Sequence, residues 1–233
     1  MDEPLVLLPG MGCTAALWSA LTWPDGITVR SCALTEPDLD AQVDRLLDEL
    51  PPRFALAGLS LGGTVAMALV RRAPERVSRL ALLSTNPRSP TLEQLEAWRR
   101  LRARLEVGSA REVQASLLPQ LLSPAVIATR PDLVELTLAM ADELGAPALD
   151  RQLRLQATRV DERPGLRTVR CPTLVVAAVD DQLCDVRKHR ELAALVSGAQ
   201  LVLVDDCAHL STLEQPGPVS VQLTRWLHAS ARG

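Results

Sequence analysis

The sequence predicts an α/β protein, a mostly parallel sheet of about six strands covered by helices and interrupted by a helical insertion. Three observations carry this reading. Short, near-continuous Leu/Val/Ala runs alternate with helix-period segments, as expected when crossover helices cover both faces of a parallel sheet. The alternation stops between residues 87 and 170, where the pattern is Leu-rich, helical and punctuated by proline. Strand pattern then resumes at Cys171-Pro172-Thr173.

Taken in order, strands are expected at residues 5–8, 27–32, 54–57, 80–84, 174–178 and 201–204. Between the second and third, Asp38 is placed to cap a helix whose Leu39, Val43, Leu46, Leu47 and Leu50 form an apolar stripe, ended by Pro51-Pro52. Further helices are expected over 61–72, stopped near Pro74, and over 188–196. A last one, over about 218–229, carries Val219, Leu223 and Trp226 on one face. The block 87–170 is too long for a plain loop and reads as a helical cap on a core made of 1–86 and 171–233. Within it, 92–105 spaces Leu92, Leu95, Trp98, Leu101 and Leu105 along one face, and 131–144 is a second helical stretch. Arg99, Arg100, Arg102 and Arg104 read as a solvated face. There is no internal repeat and no low-complexity tract.

Composition excludes several functions. With 47% hydrophobic and 23% charged residues the chain is globular, and its 233 residues can bury a core without disulfides or metals. A formal net charge of -3 and only 2% aromatic residues argue against a nucleic-acid partner. Cys13, Cys32, Cys171, Cys184 and Cys207 stand singly, which points to small buried side chains in a reducing compartment. Met1-Asp2-Glu3-Pro4 lacks the basic region of a signal peptide, and no apolar run is long enough to span a bilayer. The expectation is a soluble cytoplasmic protein; the sequence leaves its oligomeric state open.

The chemistry concentrates in Gly58-Leu59-Ser60-Leu61-Gly62-Gly63, which follows an apolar strand and opens a helix. This is G-x-S-x-G in the strand–turn–helix context that the motif requires. A serine on so sharp a turn has a strained backbone, and neighbours without a Cβ relieve the crowding. The turn lifts the Ser60 hydroxyl above the sheet and aims the next helix N-terminus at any charge developing beside it.

A serine hydroxyl needs a base. His228 lies after the last helix and is expected to be exposed; His189 lies within a helix and reads as a surface residue. His209 follows the run Leu201-Val202-Leu203-Val204, just beyond a strand's carboxyl end, where open α/β sheets gather their functional groups. Asp180 and Asp181, at the end of another strand, are candidates for the acid that orients the histidine, with Asp185 a little further on. Asp205 and Asp206 read as loop-capping residues. Pro9-Gly10-Met11-Gly12 is a glycine-bracketed turn after a strand, and the backbone N–H groups of Met11 and Leu61 are expected to converge on one oxyanion.

These blocks, with Pro172-Thr173-Leu174-Val175-Val176 and Asp206-Cys207-Ala208-His209-Leu210, resemble the α/β-hydrolase superfamily, in particular its small bacterial carboxylesterase-like members with a helical cap. The resemblance covers nearly the whole chain and is weakest in the cap. It implies a sheet lacking the first two edge strands, because the first strand here resembles the third of the full fold. It also implies that Ser60, Asp181 and His209 act as a triad with no metal or organic cofactor. Ala178 and Asp185 replace the glycine and proline that usually frame the acid, so Asp180 stays an alternative; Ala208 replaces a common glycine. Ser60 separates the chain from relatives with an aspartate at that turn, and Leu61 from those with an aromatic residue there.

The expected activity is hydrolysis of a small or medium apolar carboxylic ester. Thioesters, lactones and carbon–carbon bonds next to a carbonyl suit the same machinery, and a non-catalytic ligand-binding member of the fold is the alternative of another class. Trp98 has two readings, as a wall of the substrate pocket or as the apolar centre of the cap.

Overall fold

The computed structural model describes residues 3–229. Strands β1 (Leu5–Leu8), β2 (Val29–Ser31), β3 (Phe54–Leu59), β4 (Val77–Leu83), β5 (Thr173–Ala178) and β6 (Gln200–Val204) form one sheet in the order β2-β1-β3-β4-β5-β6. Every pairing is parallel. Successive residues of a strand face opposite sides. Leu5, Leu7, Ala55, Ala57 and Leu59 pack with Trp18, Leu223 and Trp226, while Val6, Leu8, Phe54 and Leu56 pack with Val43, Leu46, Val65 and Leu69. Because both layers are apolar, the strands read as continuous runs rather than alternating ones. β2, an edge strand, is shorter than the expected 27–32, and β4 begins at Val77 rather than at residue 80.

Two helices cover the first half of the sheet, α1 (Leu39–Glu49) and α2 (Leu61–Arg72). Asp38 caps α1, its Oδ1 accepting from the backbone N–H groups of Asp40 at 2.9 Å and Ala41 at 3.2 Å. Between β4 and β5 lie α3 (Leu92–Leu105), α4 (Ala110–Leu121), α5 (Pro124–Thr129), α6 (Pro131–Ala157) and α7 (Arg163–Leu166). Capping boxes at Thr91 with Gln94 and at Ser109 with Glu112 start α3 and α4. α6 is broken at Gly145, which has φ 71, so the stretch expected over 131–144 ends there and helix resumes as far as Ala157. This insertion has its own apolar centre of Leu105, Ala110, Val113, Ala141, Leu149 and Leu153, with Trp98 packed against it. Leu92 is exposed, as are Arg99, Arg100 and Arg104, whereas Arg102 Nε bonds Asp150 at 2.7 Å.

The chain ends with α8 (Val186–Leu195), α9 (Ser211–Glu214) and α10 (Pro216–His228). All five cysteines are free thiols, four of them buried. Among the described residues no helix is long and apolar enough to cross a membrane.

Asp38→Ala removes the cap of a helix that lies away from the cavity described below. It should lower stability by about 1 kcal/mol, read as a shift in urea midpoint with unchanged slope.

Candidate active site

The sheet order reverses at β1, whose neighbours are β2 and β3. In open α/β sheets the crevice beyond the strand ends at such a switch point is where ligands bind. The turn after β1 and the turn after β3 meet there. Gly62 of the second turn sits so close to the first strand that a Cβ on it would lie 1.9 Å from the Leu8 carbonyl oxygen. A Cβ on Gly58 would lie 2.3 Å from the carbonyl oxygen of Gly62. Both positions therefore exclude every larger residue, which is the steric reason for the glycine spacing around Ser60. Ser60 itself has φ 55 and ψ -114, a strained conformation for a residue with a side chain. Its N–H donates to Leu83 at 2.9 Å, and its carbonyl accepts from the Thr85 hydroxyl at 2.9 Å.

Ser60, Met11 and His209 all line one cavity of about 680 Å³, between the strand ends and the insertion. Its walls include Trp98 and Leu101 of α3, Leu117 and Leu121 of α4, and Leu183 and Leu210 from the loops after β5 and β6. Trp98 lines this cavity while also packing on the insertion's core. Arg100 and Arg104 of the solvated α3 face reach this lining, together with Arg159 and Lys188. Leu61, the first residue of α2, is buried behind Ser60; first-turn helix amides have no partner within their own helix.

His209 is buried, and its Nδ1 donates to Asp181 Oδ2 at 2.8 Å. Asp181 is buried too, and its Oδ1 accepts from the backbone N–H groups of Leu183 at 2.8 Å and Cys184 at 2.9 Å. Asp180, its neighbour, is exposed and bonds through its backbone N–H to Cys207. Asp185 caps α8 through Lys188 N–H at 3.1 Å, while Asp205 and Asp206 are exposed. Asp206 has φ 53, so the left-handed residue of the histidine loop falls there. The Cys184 thiol lies within 4.8 Å of the Asp181–His209 pair, and burial pushes it up to about 12.

Three supporting residues escape a reading of the sequence. Glu214 is buried, with Oε1 accepting from Ala208 N–H at 3.0 Å and Oε2 from Ser123 N–H at 3.1 Å. It ties the histidine loop to the insertion, and burial raises its carboxyl above the usual range. Gln152 of α6 accepts from Gly12 N–H at 2.8 Å and donates to the Leu34 carbonyl, fixing the turn after Met11. His189 is fully buried rather than at the surface. Its Nδ1 donates to the Asp185 carbonyl at 3.0 Å, and its Nε2 accepts from Thr85 N–H at 3.2 Å. His189 falls on one face with Leu192 and Val196, the face that α8 turns inward. Exposed His228 fits its expectation.

Residues 5–221 match the model of the alpha/beta hydrolase family. A pimeloyl-(acyl-carrier protein) methyl ester esterase from Aromatoleum aromaticum is 34% identical over 243 aligned residues, covering 95% of this chain and 97% of that one. Among solved structures, a thermophilic esterase from Thermogutta terrifontis superposes with TM-score 0.84 at 25% identity, covering 97% of this chain and 90% of its own. The enol-lactonase from Burkholderia xenovorans LB400 superposes with TM-score 0.86 at 19% identity, covering 98% and 93%, and shares the fold. The chain belongs to the alpha/beta hydrolase family and is a hydrolase.

His189 makes stability depend on pH. Burial lowers its pKa, so the folded protein keeps the imidazole neutral while the unfolded chain takes up a proton more readily. Its contribution is complete above an ordinary histidine pKa of about 6.5 and is lost as pH falls below that toward the folded value. Denaturation midpoints should therefore drop between pH 7 and pH 5, and drop less in His189→Gln. Equal drops would remove His189 from the account.

Proposed function

We propose that this chain hydrolyses carboxylic esters of small or medium apolar substrates through an acyl-enzyme on Ser60. The observation that carries the reading is the buried His209–Asp181 hydrogen bond on a cavity that Ser60 also lines. With Nδ1–H held by Asp181, the imidazole keeps Nε2 free to accept a proton. His209 takes the proton from Ser60 Oγ as the oxygen bonds to the ester carbonyl carbon. The resulting oxyanion is met by the N–H groups of Met11 and Leu61, each such donor contributing roughly 100- to 1000-fold in rate. The tetrahedral species collapses, the alcohol leaves with the proton from His209, and water, deprotonated by the same imidazole, releases the acid. The segment 87–170 acts as the cap whose α3 and α4 shape the pocket. Catalytic hydrogen bonds to the nucleophile commonly tighten only when substrate is present.

Ester rather than another acyl bond is favoured by the Aromatoleum relative, which is named for a methyl ester and matches over nearly the whole chain. The mostly apolar walls of Trp98, Leu101, Leu117 and Leu121 suit an aliphatic chain.

A fluorophosphonate probe should label the wild-type protein and leave Ser60→Ala unlabelled; equal labelling of the two would end the proposal. Against chromogenic acyl esters of graded chain length, Asp181→Asn should lose about ten-thousand-fold in kcat. Asp180→Asn should stay within a few-fold of wild type, and the reverse order would transfer the acid's role to Asp180.

A further inference from the structure

We infer that the substrate carries a carboxylate besides its scissile ester, and that Arg159 binds it. The inference rests on the esterase reading above and specifies the substrate class of that same cavity. Arg159 lines the cavity with Ser60 and His209, and its guanidinium is largely buried. It makes no ion pair among the described residues. Arg71, Arg88, Arg102, Arg111 and Arg163 each sit on a carboxylate. Arg159 has instead two long contacts to neutral amides, Gln156 Oε1 at 3.3 Å and Gln94 Oε1 at 3.5 Å, and its buried Nε has no partner.

Burying a guanidinium without a counter-charge is costly, and burial accordingly lowers its pKa. The protein holds the group in place all the same. Trp98 lies under it, with the guanidinium carbon 5.3 Å from the ring centroid. A planar fork so oriented matches a carboxylate, which accepts two parallel N–H bonds and restores charge balance. Arg100, Arg104 and Lys188 also line the cavity; Lys188 has no carboxylate partner among the described residues, its Nζ donating to the Leu183 carbonyl at 2.7 Å. The one acidic side chain among the lining residues is the exposed Glu93. The lining of this cavity is thus positive overall, and Arg159 has no counter-charge among the described residues.

The fitting substrates are half-esters of dicarboxylic acids, with the ester at Ser60 and the free acid at Arg159. The test uses methyl esters of glutaric and adipic acid whose far end is either the carboxylate or the isosteric primary amide. Wild-type protein should prefer the acid by about tenfold or more in kcat/KM, mainly through KM. Arg159→Gln should bring the acid-to-amide ratio close to one, and Arg159→Lys should keep part of it. Hydrolysis of both esters with no preference in the wild type would overturn the inference while leaving the esterase reading intact. So would a preference unchanged by Arg159→Gln. Calorimetric titration of Ser60→Ala with the same two compounds separates the remaining case. Selective binding of the acid that Arg159→Gln abolishes, without turnover of either ester by wild type, would keep the carboxylate site and discard the esterase. Equal binding would discard the site.

Discussion

The contact between the carboxyl end of β1 and the first turn of α2 constrains everything built on this sheet. Gly62 approaches the Leu8 carbonyl so closely that no side chain fits between them. Gly58 is pressed against the same turn from the strand side. With those two approaches made, Ser60 has no relaxed conformation to adopt, and its φ of 55 follows from the packing around it. The contact also places the turn after Leu8 beside the N-terminus of α2. Met11 and Leu61 come from segments far apart in the chain, yet they belong to one local geometry. A larger residue at Gly62 would displace Ser60 and the turn that carries Met11 together.

That contact also explains which parts of the molecule were legible in the sequence. Strands covered on both faces must be apolar throughout, so runs such as Leu5–Leu8 and Thr173–Ala178 announce themselves. The Gly58 to Gly63 spacing encodes close approaches within a few residues of the serine, and a local constraint leaves a local pattern. His209 and Asp181 were legible for a related reason: each follows an apolar strand run, where side chains project into the switch-point crevice. What singled out Asp181 over Asp180 was a family resemblance. Its physical counterpart is the turn that buries Asp181 against the Leu183 and Cys184 amides and leaves Asp180 exposed.

The supporting residues were illegible because their partners are distant. Gln152 reaches Gly12 across 140 positions, and Glu214 reaches Ser123 across 91. Neither residue lies in a pattern that periodicity can detect, since a buried polar group is recognised by its partner and not by its neighbours. His189 is different. It stands three positions before Leu192 and seven before Val196, both buried, so helical spacing alone places it on the inward face. Treating a helical histidine as a surface residue weighed its polarity above that spacing. In the insertion, α4 hid behind an internal Pro119 and a buried Gln114, both of which weaken a helical pattern.

The polar bonds that the sequence concealed bear on how the insertion can behave. Gln152 holds the Gly12 turn, Glu214 joins Ser123 to the histidine loop, and Leu210 N–H donates to the Leu121 carbonyl at 3.0 Å. The insertion therefore grips both loops that carry the candidate machinery, at opposite sides of the cavity it roofs. Swinging it away as a rigid lid would leave buried donors and a buried carboxylate unpaired, at about 1–3 kcal/mol for each neutral group and more for the charged one. Moving α3 costs less in buried polar bonds: its ion pair to α6, Arg102 to Asp150, is partly exposed, and it touches the cavity through side chains such as Trp98 and Arg100. Substrate access is thus more cheaply obtained by movement of α3 than by displacement of α4 and α6.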